Sequence, residues 1–226
     1  MTVTDVNVVK SAIFERPDDA NKGTLGSLLC VCGSYGMAGA AVMSAKGALR
    51  TGIGLAKCAL PRSIYPIVAQ TILESVYYPL SENADGRISK VNVPFLVSES
   101  CKSSATLVGC GLGVCDDTLK IVFSFIENST TPLVLDADAL NCVAKQPEIL
   151  LRKKAPIIIT PHPGEMSRLT GLATPLVNAE RERVALDFAQ KYGVVTVLKG
   201  AGTVIASPNG KVLVNPTGNS GMATGG

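Results

Sequence analysis

Residues 27–60, SLLCVCGSYGMAGAAVMSAKGALRTGIGLAKCAL, decide the fold class. The apolar run SLLCVCG at 27–33 predicts a buried strand that ends in glycine. Small apolar residues then recur at helical spacing over 38–49, which predicts a helix with one apolar face that can lie close to a sheet. A second apolar run at 54–60 predicts another strand. This order of strand, glycine-rich turn, helix and strand is that of a βαβ unit.

Predicted strands and helices alternate along the rest of the chain. Apolar runs and helical spacing predict strands at 105–108, 132–135, 156–160 and 194–198, and helices at 116–126, 139–144 and 177–192. Short runs at 203–206 and 211–214 flank Pro208-Asn209-Gly210, which is typical of a hairpin. Asp116 is a candidate cap for its helix, whereas residues 1–24 are polar and irregular. We therefore expect a mostly parallel sheet between two layers of helices.

Composition excludes several classes of protein. The chain has 226 residues, of which 46% are hydrophobic, and its formal net charge is +3. That apolar fraction excludes a disordered chain, and the weak, scattered charge does not favour a nucleic-acid partner. No segment approaches the ~20 apolar residues of a membrane helix, and the N-terminus does not resemble a secretion signal. We expect a cytoplasmic protein.

The cysteines and the single histidine do not indicate a metal site. The chain has seven cysteines, an odd number without a CxxC pair, and one histidine. Most of the cysteines lie among apolar residues, so we interpret them as reduced, buried thiols. A zinc site has few candidate ligands in this sequence.

The loops that follow the predicted strands carry the functional signal. Because ligands of open α/β sheets lie beyond the carboxyl ends of the strands, these loops are expected to meet. Five of the six contain glycine, and their sequences are GSYGMAGA (33–40), GCGLG (109–113), DADALN (136–141), TPHPGE (160–165), KGAGT (199–203) and NPTGNSG (215–221). Glycine exposes backbone N–H groups that bind anions. Several such loops at one edge predict a phosphate-rich ligand.

Each loop also has a purely structural interpretation. Glycines after strands often form only tight turns. Asp136 and Asp138 are candidate helix caps. His162 stands between two prolines and is a candidate surface turn residue, and Lys199 is a candidate solvated lysine. The recurrence of polar loops at one edge, more than any single loop, favours a functional site.

The motifs together resemble those of the ribokinase-like NAD(P)H-hydrate dehydratases. The resemblance runs from about residue 22 to the last residue and rests on KGTLG (22–26), AGAA (38–41), GLG (111–113), LDADALN (135–141), TPHPGEMSRL (160–169), LKGAGT (198–203) and TGNSGMATGG (217–226). It implies a three-layer α/β/α sandwich. It also implies ADP- or ATP-driven dehydration of (S)-NADHX or (S)-NADPHX, through phosphorylation and phosphate elimination, with Mg²⁺ bridging the phosphates.

The same resemblance implies site residues. Those implied to contact the hydrate are Ala40, Gly111, Gly113 and His162. Those implied to hold the nucleotide are Lys199, Gly200, Ala201, Gly202 and Thr203, together with Asn219 and Gly221, which open the helix whose N-terminus receives the phosphoryl group. Glu165 is implied to organise Mg²⁺ through water, and Asp136 and Asn141 are expected to line the phosphoryl path.

This sequence departs from the family pattern at three places. Asn21 replaces a histidine and Cys110 replaces a proline, and neither position is expected to carry the chemistry. The family's last motif continues from GG to an aspartate, the expected catalytic base, which would lie just beyond Gly226. We therefore expect residues 1–226 to be a single ribokinase-like domain that is truncated at its C-terminus and inactive alone, without an N-terminal epimerase domain.

Two other functions remain as alternatives. A kinase for a small vitamin-type alcohol would share the fold, and a non-catalytic nucleotide-binding protein would need no base. The resemblance further implies a homo-oligomer, such as a tetramer.

Overall fold

One mixed sheet forms the centre of the protein. The computed structural model describes residues 2–4, 9–10 and 17–222. The strands of this sheet are β1 (Thr2–Val3), β2 (Ser27–Val31), β3 (Leu55–Pro61), β4 (Val76–Leu80), β5 (Ala105–Val108), β6 (Leu133–Leu135), β7 (Ile157–Ile159), β8 (Val195–Leu198), β9 (Thr203–Ala206) and β10 (Val212–Asn215). Their order in the described residues is β1-β10-β9-β8-β7-β6-β5-β2-β3-β4.

Most of the sheet is parallel. Neighbours from β8 to β4 all pair in parallel. Among the strands of the described residues, only β9 runs the other way, because it pairs antiparallel with both β8 and β10. The predicted hairpin is therefore confirmed, with the amide of Gly210 donating to the carbonyl of Ser207 in its turn.

Helices cover the sheet. They are α1 (Ala38–Arg50), α2 (Tyr65–Thr71), α3 (Val93–Cys101), α4 (Asp116–Asn128), α5 (Asp138–Val143), α6 (Pro163–Thr170), α7 (Thr174–Ala179) and α8 (Arg181–Tyr192), with single 3₁₀ segments at Arg62–Ile64, Lys90–Asn92, Pro147–Arg152 and Ser220–Met222. Within the described residues, none of these helices has the length and apolar composition that crossing a bilayer requires.

Side chains of β2 show the three layers directly. Leu29 and Val31 point into a cluster that includes residues of α3, α4 and α8. Cys30 and Cys32 point to the opposite face, where Ala45 of α1 is fully buried. Since alternate residues of a strand face opposite sides, helices occupy both faces. The predicted α/β/α sandwich and the close-packed alanine face are both confirmed.

Several predicted elements need correction. The helix predicted at 177–192 is two helices, because Glu180 has φ −125° and ψ 40° and ends α7 before α8 begins. Buried Val177 and Val184 keep helical spacing across this break, so periodicity did not detect it. Thr2–Val3, predicted irregular, pairs in parallel with β10. Cys115, and not Asp116, is the N-cap of α4.

The cysteines are free thiols, although not all of them are buried. Four are buried, Cys101 is exposed, and Cys110 and Cys115 lie half-buried. Burial raises the pKa of Cys142 to about 12, so this thiol stays protonated. Among the described residues, no group of three or more histidine, cysteine or acidic side chains is arranged to hold a metal ion.

Candidate functional site

The predicted loops meet along one edge of the sheet. Strands β8, β7, β6, β5 and β2 are consecutive neighbours and run parallel, so their carboxyl ends lie side by side. Strand β10 has the same direction as β8, because β9 is antiparallel to both. This confirms the juxtaposition that the sequence predicted. It also places the glycine-rich loops where open α/β sheets bind ligands.

The loops after β2 and β5 approach each other closely. The amide of Gly33 donates to the carbonyl of Cys110 at 2.8 Å, and Oγ of Ser34 donates to the carbonyl of Gly111 at 2.8 Å. A Cβ on Gly111, where φ is +67°, would lie 2.7 Å from Cβ of Ala40. Two of the predicted hydrate-binding residues, Ala40 and Gly111, are therefore in contact, and both are buried.

Asp136, directly after β6, is the centre of a polar cluster. Its Oδ1 accepts hydrogen bonds from Nζ of Lys199 at 2.7 Å and from Oγ1 of Thr160 at 2.8 Å. Its Oδ2 accepts from Sγ of Cys110 at 3.4 Å. Burial pushes the pKa of Asp136 upward, but the hydrogen bond and charge of Lys199, with the Thr160 and Cys110 hydrogen bonds, outweigh burial and lower it. Asp136 is therefore a carboxylate at neutral pH.

A second acidic residue, Asp138, connects the loop after β6 to the loop after β5 through a hydrogen bond. Its Oδ2 accepts from the amide of Gly113 at 2.8 Å, and its Oδ1 accepts from Nδ2 of Asn141 at 3.3 Å. Oδ1 of Asn141 in turn accepts from Nη1 of Arg168 at 3.0 Å. Neither Asp136 nor Asp138 caps α5, whose N-cap is Ala137 with no side-chain cap bond. The helix-cap interpretation of the two aspartates is wrong.

Ala137 holds these two aspartates in a strained backbone. Its φ of 48° makes it the single non-glycine residue with positive φ among the described residues, and its ψ is −114°. Such a conformation costs of order 1–3 kcal/mol and persists where the surroundings enforce it, commonly at functional sites. Hydrogen bonds hold the flanking carboxylates on both sides of it, that of Asp136 from Lys199 and that of Asp138 from the amide of Gly113.

His162 and Glu165 form a capping box at the start of α6. Nδ1 of His162 accepts from the amides of Gly164 and Glu165 at 3.0 and 3.3 Å. The Glu165 carboxylate returns the interaction, because it accepts from the amide of His162 at 2.8 Å. Since Nδ1 is an acceptor, the proton of the neutral ring is on Nε2, which lies 3.4 Å from the Glu165 carboxylate. Half of the imidazole side chain remains exposed.

The loop after β8 presents free backbone amides. Gly200 and Gly202 have φ of +149° and +67°, and within the described chain the amides of Gly200, Ala201 and Gly202 donate no hydrogen bond. Oγ1 of Thr203 donates back to the carbonyl of Gly200 at 3.0 Å. Consecutive free amides in such a turn suit an anion. A cavity of about 530 Å³ borders this loop at Ala201 and Gly202.

The remaining predicted residues lie after β10. Asn219 and Gly221 are exposed, and Oδ1 of Asn219 accepts from the amide of Gly221 at 2.9 Å. They begin the 3₁₀ turn at Ser220–Met222. Gly225 and Gly226, the end of the same motif, lie outside the described residues.

Sequence reasoning missed three side chains that organise this edge. Thr160 and Asp138 stood inside recognised motifs but were not assigned a contact. Arg181 lies in a charged helix without any motif, and its Nη2 donates to the carbonyl of Leu198 at 2.8 Å. No local signal marks such an arginine. A further cavity of about 460 Å³ between α6 and α8 is lined by none of the predicted site residues.

Fold and site define a class of protein. A mostly parallel sheet with glycine-rich loops at one edge is common to many ligand-binding α/β proteins. The fold of this chain is ribokinase-like, because a ribokinase-like superfamily protein from Enterococcus faecalis matches 99% of it with a TM-score of 0.83 at 21% identity, over 74% of its own length. Residues 28–226 match the family model described as NAD(P)H-hydrate dehydratase. The chain belongs to this family.

Relatives of known name agree with that assignment. The ADP/ATP-dependent NAD(P)H-hydrate dehydratase from Bacillus subtilis, co-crystallised with ATP and Mg²⁺, has a TM-score of 0.82 and 30% identity, over 99% of this chain and 76% of that one. The bifunctional NAD(P)H-hydrate repair enzyme Nnr of Thermofilum pendens is 40% identical over 211 residues, or 93% of this chain. The chain spans 40% of the length of that bifunctional relative.

Proposed function

We propose that this chain carries the site of an enzyme that repairs hydrated NADH and NADPH. The β-phosphoryl group of ADP, or the γ-phosphoryl group of ATP, moves to the hydroxyl of (S)-NADHX or (S)-NADPHX. Elimination of phosphate then yields NADH or NADPH. The observation that carries the proposal is the row of free amides at 200–202. It stands beside the Lys199–Asp136 pair, at the edge where the family's motifs meet.

The nucleotide is assigned to the loop after β8. The backbone amides of Gly200, Ala201 and Gly202 can donate hydrogen bonds to phosphate oxygens. No hydrogen bond within the described chain has to break first. Lys199 adds a cation within the same loop. Asn219 and Gly221 are assigned to the transferred phosphoryl group, because their turn follows β10 at the same edge.

The hydrate is assigned to the loops after β2 and β5, which lie across Asp136 from the nucleotide loop, and to His162, which follows β7 between β6 and β8. Ala40 and Gly111 are in contact and supply a closely packed wall on which a flat ring system can lie, and Gly113 lies in the same loop as Gly111. The His162 imidazole has its Nδ1 occupied, so the exposed half of its ring is what remains for contact with the hydrate. Asp136 and Asn141 lie between the two assigned regions and line the path of the phosphoryl group.

Magnesium fits this donor set when it arrives with the nucleotide. Mg²⁺ in phosphoryl-transfer sites takes most of its ligands from phosphates and water and only one or two from carboxylates. Glu165 is buried, and its carboxylate already accepts a backbone hydrogen bond, so it suits contact through water rather than direct ligation. Bound in this way, the ion neutralises phosphate charge.

The proposal further includes a single ribokinase-like domain, a homo-oligomeric state and a cytoplasmic location. They rest on the family resemblance. Sedimentation velocity of the purified protein tests the oligomer, and fractionation of the source cells tests the location.

The experiment that tests the activity uses the full-length protein with NADHX and either ADP or ATP. Nucleotide-dependent recovery of reduced nicotinamide absorbance, with release of phosphate, supports repair. A stable phosphorylated product would instead identify a kinase, and nucleotide binding without any product would identify a binding protein.

A matched pair of variants links that activity to the loop. Lys199→Met should weaken nucleotide binding by about 1.5–3 kcal/mol, the range for a hydrogen bond to a charged group. Lys120→Met removes an exposed lysine on α4 and should leave nucleotide binding unchanged. Equal affinity in both variants would show that Lys199 serves only Asp136.

A further inference from the structure

Arg181 contacts the turn between β8 and β9, which was assigned to the nucleotide, at Leu198, Gly200 and Gly202. Its Nη2 donates to the carbonyl of Leu198 at 2.8 Å and to the carbonyl of Gly202 at 3.5 Å. A Cβ on Gly200 would lie 2.8 Å from Nη1 of Arg181, so the guanidinium packs directly against that glycine. One side chain from α8 therefore spans the whole turn between β8 and β9.

Arg181 forms no ion pair within the described chain. Glu180 and Glu182 flank it in sequence and line the same 530 Å³ cavity, but neither carboxylate pairs with it. Arg183, two positions further along α8, pairs with both Glu180 and Asp187. The two arginines of the same helix turn thus differ sharply in their electrostatic surroundings.

Two physical costs oppose a cation at this position. Arg181 is the first residue of α8, where the helix dipole disfavours positive charge. Burial lowers the pKa of Arg181, and its Nε is buried without a hydrogen-bond partner among the described residues. A guanidinium nevertheless stays protonated at neutral pH. The two carbonyl hydrogen bonds offset part of these costs, and an anion beside the loop would offset more.

Arg181 and Lys199 divide the positive charge of the loop unequally. Nζ of Lys199 lies 2.7 Å from Asp136, so part of its charge is offset by that carboxylate. Arg181 borders the 530 Å³ cavity together with Ala201 and Gly202, and the charged side chains of Glu180, Glu182 and Arg183 line the same cavity. Of the two arginines at this cavity, Arg181 is the one that forms no ion pair within the described chain.

We propose that Arg181 is a positioning residue for the nucleotide. It holds the carbonyls of Leu198 and Gly202, which keeps the amides of the turn free for the phosphates of a nucleoside di- or triphosphate. Its charge adds attraction for the same anion. This inference rests on the proposed function, because it takes the 199–203 loop as the nucleotide site.

The test compares Arg181→Met and Arg181→Lys with Arg152→Met, a control whose side chain is 64% exposed, pairs with Glu127 and does not line the cavity. Calorimetric titration of the full-length protein with ADP should show roughly tenfold to hundredfold weaker binding for Arg181→Met, since a hydrogen-bonded charge is lost. Arg181→Lys should recover part of that loss, and Arg152→Met should bind like the wild type. In steady-state assays, the KM for ADP should rise while the KM for NADHX stays unchanged.

Hydrogen exchange separates positioning from general destabilisation. Amides of residues 199–203 should exchange faster in Arg181→Met without nucleotide, whereas peptides from β2 and β5 should not change. If Arg181→Met does not fold, Arg181→Lys carries the same test, because lysine keeps the charge but cannot span both carbonyls. A wild type that binds ADP while both variants bind it equally well would overturn the inference and leave the proposed function intact. A wild type that binds neither ADP nor ATP would overturn both.

Discussion

Nζ of Lys199 lies 2.7 Å from Oδ1 of Asp136, and this contact joins the ends of β8 and β6 across the intervening β7. Thr160, which follows β7, donates to the same oxygen at 2.8 Å. One carboxylate oxygen thus fixes three neighbouring strand ends. The arrangement gives Lys199 a structural task in addition to the nucleotide contact proposed for it, and it makes Asp136 the group whose ionisation the site depends on.

Replacing Asp136 by Asn should change how stability depends on pH. The folded-state pKa of Asp136 lies below its ordinary value, chiefly because Lys199 outweighs the opposing effect of burial. Such a group stabilises the fold above its unfolded pKa of about 3.9, and the contribution is lost as pH falls through the folded pKa. The free energy of unfolding of the wild type should exceed that of Asp136→Asn most at neutral pH, and the difference should shrink below about pH 4.

Urea titrations at a series of pH values measure that difference. Asp85→Asn is the control, because its carboxylate is 68% exposed and lies 3.7 Å from Arg87. It should change the free energy of unfolding by less than about 1 kcal/mol at every pH. A wild-type advantage over Asp136→Asn that stays constant from neutral to acid pH would contradict the role assigned to Lys199.

Two substitutions of His162 separate its role as the N-cap of α6 from its proposed contact with the hydrate. His162→Ala removes the acceptor of two α6 amides and should cost about 1 kcal/mol of stability. His162→Asn keeps a strong N-cap acceptor and should lose much less. If the imidazole contacts the hydrate, both variants should raise the KM for NADHX by a similar factor and leave ADP affinity unchanged.

Denaturant unfolding and steady-state kinetics of the two variants decide between these roles. A rise in KM confined to His162→Ala would show that the imidazole serves only the helix. A normal KM with abolished kcat in His162→Asn would instead make His162 a proton-transfer residue.

Ala137 offers a substitution that should stabilise the protein. Its φ of 48° costs alanine of order 1–3 kcal/mol, whereas glycine accepts this backbone and loses only about 0.4–1 kcal/mol through unfolded-state entropy. Ala137→Gly should therefore gain up to about 2.6 kcal/mol in unfolding free energy. Activity should fall, because glycine lets the backbone between Asp136 and Asp138 adopt other conformations.

Ala84→Gly is the matched control for that gain. Ala84 is exposed in the turn after β4, and its φ is not positive. Glycine there should cost about 0.4–1 kcal/mol. Chemical denaturation gives both values, and a loss of stability in Ala137→Gly equal to that of Ala84→Gly would show that Ala137 is not strained.

Sequence alone predicted the position of the site because its signals are local. An apolar run that ends in glycine marks where a strand stops, and parallel strands bring all such ends to one edge. The loops after β2, β5, β6, β7 and β8 could therefore be placed together before any contact was known. The hydrophobic face of α1 followed from spacing in the same way.

Which side chains contact each other within the site depends on the tertiary structure and could not be predicted from the sequence. Asp136 and Lys199 are 63 residues apart in sequence, and nothing local to Lys199 distinguishes a paired ammonium from a free one. Arg181 reaches Leu198 only because α8 packs on β8 and β9. The break at Glu180 was hidden because apolar spacing continues through it. The contacts of Lys199 and Arg181 join residues that are distant in sequence, so local sequence signals do not indicate them.

The last prediction isolates the close approach between the loops after β2 and β5. Gly111 and Gly171 have similar positive φ, +67° and +75°, but a Cβ on Gly111 would lie 2.7 Å from Cβ of Ala40 whereas one on Gly171 would meet nothing within 4 Å. Gly171→Ala should therefore cost only the left-handed backbone penalty of about 1–2 kcal/mol. Gly111→Ala should cost about 1–3 kcal/mol more, because buried Ala40 and exposed Met37 must both shift.

Activity should separate the two variants further. Movement of Ala40 alters the wall assigned to the hydrate, so Gly111→Ala should raise the KM for NADHX, whereas Gly171→Ala, at the end of α6, should not. Thermal and urea unfolding give the stability difference, and initial rates at saturating ADP give the KM values. Equal stability costs would mean that the loops separate without strain. Equal costs together with an unchanged KM in Gly111→Ala would remove Ala40 and Gly111 from the hydrate site.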